Sequence, residues 1–383
     1  MDIRPALESD LPELLALESQ SFHSDRISRR SFRRWLRHHD RVFLLAVDQG
    51  QALGYALVTL RRGTRLARLY SLAVAPQSRG RGVAGALLKA VEQGARDAGA
   101  LYLRLEVASD NQPAINLYRK LGYQQFGCYE DYYEDHGSAL RMEKCIRPYA
   151  PGGDSRTLPW LAQTTAFTCG PAALMMAMAG LPGGYRPSPE DEIQLWREAT
   201  TVFMTSGHGG CHPLGLALAA HRRGFASEAW INIEGPLFLE GVRDENKKRV
   251  MRIAHRQFVE QCAAARIPVR HADIDQGQLT ERFQAGANIL ILISTYRLDN
   301  MKAPHWVVLS GFDESCLYVH DPDLGDTHPR QAADAQRSAL DCQHLPIARD
   351  SFNAMSRFGS SRLRAVVIVE AGPGTAPTPA PAT

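Results

Sequence analysis

Cys169 stands in the stretch Gln163-Thr-Thr-Ala-Phe-Thr-Cys169-Gly170-Pro171, just before the apolar run Leu174-Met-Met-Ala-Met-Ala. A cysteine in the first turn of a helix has its thiolate favoured by free backbone N–H groups and by the positive end of the helix dipole. Gln163, six residues upstream, offers a side-chain amide to an oxyanion developing on an attacked carbonyl, beside the N–H of Cys169 itself. Far downstream, His305 opens the apolar run His-Trp-Val-Val-Leu and Asp321 closes Cys-Leu-Tyr-Val-His-Asp. Nucleophile, base and orienting carboxylate therefore occur in an order a cysteine hydrolase uses. Cys169 attacks, His305 takes its proton and returns it to the leaving amine, and Asp321 fixes the imidazole tautomer. His320 is the poorer base, because alternation along a strand turns it to the opposite face from Asp321. Singly, a cysteine at a helix start and a histidine at a strand start are ordinary core features; the four elements in order point to catalysis.

A different chemistry occupies the first half. The strand-like Leu69–Val74 runs into Ala75-Pro-Gln-Ser-Arg79-Gly80-Arg81-Gly82-Val83-Ala84 and then a helix-forming segment. Glycines at a strand-to-helix turn let the backbone approach an anion. The N–H groups of Arg81, Gly82, Val83 and Ala84 then converge on a pyrophosphate at the helix N-terminus. No Gly-Lys-Ser/Thr follows, so this is not a Walker loop. His208, Cys211 and His212 carry ligand-type side chains in Gly-His-Gly-Gly-Cys-His-Pro, but no fourth ligand is evident; a Gly-rich loop without metal is the favoured reading and no metal is expected.

The elements that position these residues fall into two sets. In the first, Val42–Val47 and Ala52–Leu60 read as a hairpin, followed by strand Leu69–Val74, helix Gly82–Ala98, strand Leu101–Val107, helix Gln112–Leu121 and closing strands Gln124–Tyr129 and Ala139–Lys144. In the second, helices are expected from Cys169, over Pro189–Thr200, His212–Arg223 and Asn246–Ala265, before strands Ile289–Ser294, His305–Ser310, Cys316–His320 and Arg364–Val369. The fold class is α/β for the first domain and α+β for the second, the latter with a helical half, a strand-rich half and a cleft between them. The boundaries are a first domain over 1–146, a turn-rich linker over 147–158, a second domain over 159–370, and an Ala/Gly/Pro/Thr tail over 371–383 that cannot bury a core.

Composition agrees with two globular domains: 383 residues, 44% hydrophobic and 22% charged. The net charge of +3 demands neither nucleic acid nor membrane. No apolar run approaches the ~20 residues that span a bilayer, and no signal-like apolar core opens the chain. Seven scattered cysteines without a Cys-x-x-Cys pair suit reduced thiols in a cytoplasm. Arg26–Arg41 holds seven arginines plus His38 and His39, with Phe32, Trp35 and Leu36 at helical spacing. The arginines should line an exposed face, either as a solvated surface or as a dock for an acidic peptide, an acidic protein or a ribosomal surface.

Arg79-x-x-Gly82-x-Ala84 resembles the cofactor loop of the GNAT N-acetyltransferases. The later segment Leu105-Glu106-Val107 through Asn111-Gln-Pro-Ala114 to Leu117-Tyr118-Arg-Lys-Leu-Gly122-Tyr123 resembles their second signature, in the form found in RimI-like protein N-terminal acetyltransferases. Tyr132 to Met142 is similar to their closing hairpin. The resemblance spans residues 1 to about 146 and implies a mixed-sheet fold using acetyl-CoA as co-substrate. It implies Glu106 as general base, Tyr118 as the acid that protonates the leaving thiolate, and Asn111 as a holder of cofactor or water. Leu72 and Val74 would offer backbone groups to the pantetheine arm, and Arg79 belongs to the phosphate loop.

Residues 158 to about 370 resemble the C39-like, papain-type cysteine peptidases through Gln163, Cys169-Gly170, His305-Trp-Val-Val-Leu and Tyr318-Val-His-Asp321-Pro322. Two departures concern the substrate: Thr168 stands where those peptidases commonly carry Asp, and a charged helix near Arg243–Ala265 lengthens the Cys-to-His stretch. Together the resemblances imply a cytoplasmic two-headed enzyme acting on the amines and peptide bonds of proteins or peptides. A non-catalytic peptide-binding second domain and a small-molecule amine acetyltransferase are the alternatives.

Overall fold

The structure is a computed structural model describing residues 1–22, 26–129, 132, 137–146, 153–204, 207–299, 303–324 and 339–372. Contacts divide the chain into two compact units, Met1–Ala150 and Pro151–Thr383.

The first unit runs β1 (Asp2–Pro5), α1 (Leu11–Ser21), α2 (Arg29–Arg37), β2 (Arg41–Asp48), β3 (Gln51–Leu60), β4 (Leu66–Val74), α3 (Val83–Asp97), β5 (Tyr102–Ala108), α4 (Gln112–Lys120), β6 (Gln124–Tyr129) and β7 (Ala139–Cys145). The strands form one sheet in the order β1-β2-β3-β4-β5-β7-β6. Alternation buries both faces. Leu87, Leu88 and Val91 of α3 pack with Val58, Leu103 and Leu105 on one side. Leu14 of α1 and Phe32 and Trp35 of α2 pack with Phe43, Tyr55 and Leu57 on the other. Each such large side chain contributes about 1.5–3 kcal/mol on burial.

Two irregularities shape this sheet. β4 is parallel to β5 only from Leu66–Arg68 against Tyr102–Arg104, after which the two strands part. On its other edge, β4 pairs Leu69 with Val58 and Ser71 with Leu57, so Tyr70 is bulged out of register and is 39% exposed. Strand β4 begins three residues before the expected Leu69. The short β1 and the helix α1 have no counterpart in the expected elements.

The second unit runs β8 (Asp154–Ser155), α5 (Cys169–Ala179), α6 (Pro189–Ala199), β9 (Phe203–Met204), β10 (Gly207–His208), α7 (Pro213–Arg222), β11 (Ala226–Ile231), α8 (Glu245–Ala264), β12 (Val269–Arg270), α9 (Gln276–Gln284), β13 (Asn288–Ser294), α10 (Tyr296–Asp299), β14 (Pro304–Phe312), β15 (Cys316–His320), β16 (Leu345–Ala348), α11 (Arg349–Met355) and β17 (Ala365–Glu370). Its main sheet has the order β12-β11-β17-β13-β14-β15-β16, with β8 added against β14. Helix α5 is buried from Cys169 through Met178, as an all-apolar helix must be.

Two expectations are corrected here. The helices and strands are not segregated into halves: β11 arises among the helices and pairs with β17 along its whole length. A six-residue strand between two helices carries too short a pattern to announce itself. The expected linker 147–158 also ends too late, because Asp154 and Ser155 pair with Phe312 and Gly311. Residues 147–152 of that linker, residues 373–383 of the expected tail and most of Tyr132–Ser138 in the expected closing hairpin lie outside the described residues. No helix among the described residues is long and apolar enough to cross a membrane.

Candidate active sites

In the first unit, the turn from β4 to α3 takes the conformation that its glycines permit. Gly80 and Gly82 have φ of +75° and +80°, and Gly82 caps α3 in the left-handed conformation, where a side chain would be strained. A Cβ at either glycine would meet nothing within 4 Å, so the space over the turn is open. The first-turn N–H groups of α3 have no helical acceptors, and Arg79, Arg81 and Gly82 around them are exposed. The donor set and open cradle fit the pyrophosphate of a CoA thioester. Val83 is buried beneath the turn, and Ala84 continues the same helical turn. Leu72 and Val74 lie on the part of β4 that has left β5.

Glu106 lies on β5 and is ion-paired with Arg68 of β4 at 3.0 Å, their side chains 6% and 15% exposed. Arg68 also donates to the Tyr132 hydroxyl at 3.0 Å. Arg68 stands on the last matched rung, opposite Arg104, and reaches Glu106 two residues further along β5. Tyr118 of α4 is buried, and burial holds its phenol well above the ordinary tyrosine range, so it keeps its proton near neutrality. Its ring meets Tyr123 edge-on at 5.6 Å. Asn111 accepts the N–H of Ala114 at 3.2 Å through its side-chain oxygen and so caps α4. Sequence reasoning missed Arg68; its partner on another strand is invisible to local spacing.

In the second unit, His305 near the start of β14 and Asp321 just after β15 lie at the same end of an antiparallel pair. His305 Nε2 and Asp321 Oδ1 are 2.7 Å apart, both side chains under one-tenth exposed. Burial opposes the imidazolium. The Asp321 carboxylate and the Cys169 side chain, which also hydrogen-bonds His305, outweigh it and hold His305 well above the ordinary histidine range. With Nε2 on Asp321, the other ring nitrogen is left for the Cys169 sulfur. His320 is engaged elsewhere: Nδ1 accepts the His344 N–H at 2.9 Å, and Nε2 is 3.2 Å from the Leu158 carbonyl.

The segment carrying Gln163 is laced beside Asp321. Trp160 Nε1 donates to the Asp321 carbonyl at 2.8 Å, and the Gln163 N–H donates to the Pro322 carbonyl at 2.9 Å. The Thr164 N–H donates to buried Glu192 at 2.8 Å. The Gln163 side-chain oxygen is buried with no hydrogen-bond partner among the described residues. Gly170 is required by packing: a Cβ there would lie 2.9 Å from Cys211 Cβ and 3.2 Å from Trp306 Cδ1. The sequence assigns Trp160, Glu192 and Trp306 no role, and Cys211 enters there only as a ligand-type residue.

His208, Cys211 and His212 have separate surroundings. His208 packs on Phe167 at 4.9 Å. Burial, then the charge of nearby Cys169, push the Cys211 thiol well up. His212 caps α7 by accepting the Leu214 N–H at 3.1 Å, and its other nitrogen lies 3.0 Å from His255 Nδ1 of α8. No group of three potential ligands occurs among the described residues. Burial, then His255, holds His212 well below its ordinary value of 6.5.

The unfolded chain therefore binds a proton at His212 that the folded chain refuses, and stability falls as pH drops below about 6.5. His305 opposes this slope near pH 6.5, where it is fully protonated in the folded chain and only half so in the unfolded one, and the opposition fades by about pH 5.5. Denaturant unfolding followed by tryptophan fluorescence should show a net loss of roughly 0.5–1 kcal/mol between about pH 6.5 and 5.5. His212→Asn, which keeps the cap, should flatten that dependence; an unchanged slope would count against the assignment.

The chain belongs to the Peptidase_C39 like family, which it matches over residues 158–370, more than half its length, and its first unit matches the Acetyltransferase (GNAT) family over residues 9–123. Streptothricin acetyltransferase of Streptomyces lavendulae is 32% identical over 28% of this chain and 55% of its own. N-alpha-acetyltransferase of Sulfurisphaera tokodaii is 30% identical over 28% of this chain and 71% of its own. The putative ribosomal protein bS18-alanine N-acetyltransferase of Bacillus subtilis is 27% identical over 33% of this chain and 83% of its own. The chain thus spans little more than half the length of the Streptomyces relative.

Proposed function

We propose that this is a two-domain enzyme whose first domain acetylates an amine of a protein or peptide from acetyl-CoA, and whose second cleaves or transfers a peptide acyl group through Cys169. The first reading is carried by the open, left-handed Gly80–Gly82 turn at the head of α3, on a strand that parts from its neighbour. Arg79 and the N–H groups of Arg81, Gly82, Val83 and Ala84 hold the diphosphate, while Leu72 and Val74 offer backbone groups to the pantetheine arm. Glu106 accepts the amine proton directly or through water, and Tyr118 protonates the departing thiolate. Acetyl-CoA supplies the activated acyl group.

The second reading is supported by the 2.7 Å contact between His305 and Asp321. Cys169 attacks the carbonyl, and His305 protonates the leaving amine. Gln163 and the Cys169 N–H hold the oxyanion. One domain would release or expose an amine that the other acylates, in a cytoplasmic setting.

The test is to incubate a denatured-then-renatured proteome with acetyl-CoA and the wild-type chain, Tyr118→Phe or Cys169→Ala. Mass spectrometry should find new acetylated amines that vanish with Tyr118→Phe and new peptide ends that vanish with Cys169→Ala. Acetylation confined to added small amines would instead favour a small-molecule acceptor, a reading supported by the similarity to streptothricin acetyltransferase.

A further inference from the structure

Helix α2 has the sequence Arg-Arg-Ser-Phe-Arg-Arg-Trp-Leu-Arg, with Phe32, Trp35 and Leu36 buried. Arg29, Arg30, Arg33 and Arg37 are exposed and Arg34 half-exposed. Arg29, Arg33 and Arg37 follow one another at helical i, i+4 spacing, as do Arg30 and Arg34, so like charges face each other along the helix. The first turn holds two arginines and no acidic residue, although the positive end of a helix disfavours cations. Both features weaken the helix and are relieved by an anion beside it.

The arginines do not all face outward for the same reason. Arg41 turns inward to the Leu36 carbonyl at 2.5 Å, and Arg26 donates to the Phe22 carbonyl at 2.6 Å. Arg37 grips Glu8 through two parallel contacts of 2.9 Å. Arg29, Arg30 and Arg33 have no salt bridge among the described residues. An open concavity of about 700 Å³ is lined by Arg29, Arg30, Arg33, Arg34, Arg37 and His38.

Three observations decide what occupies this face. Arg37 is already held by a carboxylate, in the bidentate form arginine prefers. From Arg29 to Arg37 the helix rises about 12 Å, the reach of about four extended residues. The helix that carries this face adjoins the parted strands, since the buried Trp35 of α2 packs on the bulged Tyr70 of β4 with ring centroids 5.4 Å apart.

We infer that the arginine face of α2 docks an acidic stretch of the acceptor polypeptide, with carboxylates distributed over about four to five residues, and so selects acceptors with acidic sequence near the acetylated amine. The inference rests on the acetyltransferase reading for the identity of the docked chain as acceptor.

Fluorescence anisotropy with the full chain and labelled peptides tests it. The peptides share a free N-terminus and differ only in whether the following residues are Asp/Glu or Asn/Gln. The acidic peptide should bind about tenfold more tightly, an advantage that shrinks between about 0.05 and 0.5 M salt. Arg30→Glu with Arg33→Glu should abolish the preference, while Arg30→Gln with Arg33→Gln should give an intermediate loss, and circular dichroism should be unchanged in both. Equal binding of the two peptides overturns the inference, as does loss of binding to a single-stranded RNA oligonucleotide in the reversed variant with no peptide preference in the wild type. Kinetics on the same peptides keep the two readings apart: if the acidic peptide docks with the expected preference but none is acetylated, the acetyltransferase reading fails and the docking face stands.

Discussion

His305→Ala should slow the alkylation of Cys169 by iodoacetamide about 10- to 100-fold at about pH 5. The pH matters because two effects oppose each other. An imidazolium beside the sulfur favours the reactive thiolate, but a stabilised thiolate is the weaker nucleophile. Near neutrality these nearly cancel. In acid an unassisted thiol is almost wholly protonated, whereas His305, held well above its ordinary range by Asp321 and Cys169 against its burial, still carries its charge. Exposed Cys128 and Cys145 serve as internal standards, and peptide mass spectrometry separates the sites. Asp321→Asn should fall between wild type and His305→Ala. Equal acid labelling of Cys169 in wild type and His305→Ala would leave a peptide-binding module in place of a hydrolase. The same raised histidine has a stability signature. The folded chain binds its proton more tightly than the unfolded one, so the contribution is complete below about pH 6.5 and is lost as pH rises through the folded value.

The second large effect is on acetyl transfer. Tyr118→Phe should lower kcat by about 10²–10³ while leaving the dissociation constant for acetyl-CoA within about twofold. The substitution removes one hydroxyl and keeps the ring that packs on Tyr123. No other residue is stripped of a partner, since the Tyr118 hydroxyl makes no hydrogen bond to another described residue. Glu106→Gln is less clean, because it leaves Arg68, 15% exposed, without its carboxylate; removing one partner of such a buried pair costs up to about 3–5 kcal/mol. Steady-state kinetics with a free-amine peptide, alongside calorimetric titration of acetyl-CoA, separates the two contributions. An unchanged kcat in Tyr118→Phe would remove Tyr118 as the acid.

Much of this was legible because the pieces are local. The turn at Gly80 and Gly82 announces itself in a few consecutive residues, and the glycines take left-handed φ where the strand must become a helix. Cys169 opens α5 as its apolar surroundings suggest, and alternation along β15 separates His320 from Asp321. What the sequence hid is long-range. Arg68 and Glu106 meet across strands 38 residues apart, and Glu192 reaches back to the Thr164 amide. β11 was missed because its six residues become a strand only when β17 arrives more than 130 positions later. The capping role of Asn111 is of another kind: its side-chain oxygen holds the helix start, which a side chain of its type equally suits.

The contacts that hold Gln163 have a consequence for how the hydrolytic site wears. His305 belongs to a central strand of the sheet and pairs there with Ile293 of β13. The Gln163 segment has no regular structure and is tied to its neighbours through Asp321, Pro322 and Glu192. Local opening draws first on segments with few such ties. The base therefore sits on a more durable element than the oxyanion donor, which depends on one loop. A partly loosened molecule would keep a reactive sulfur beside an imidazolium yet have lost the group that stabilises the carbonyl it attacks.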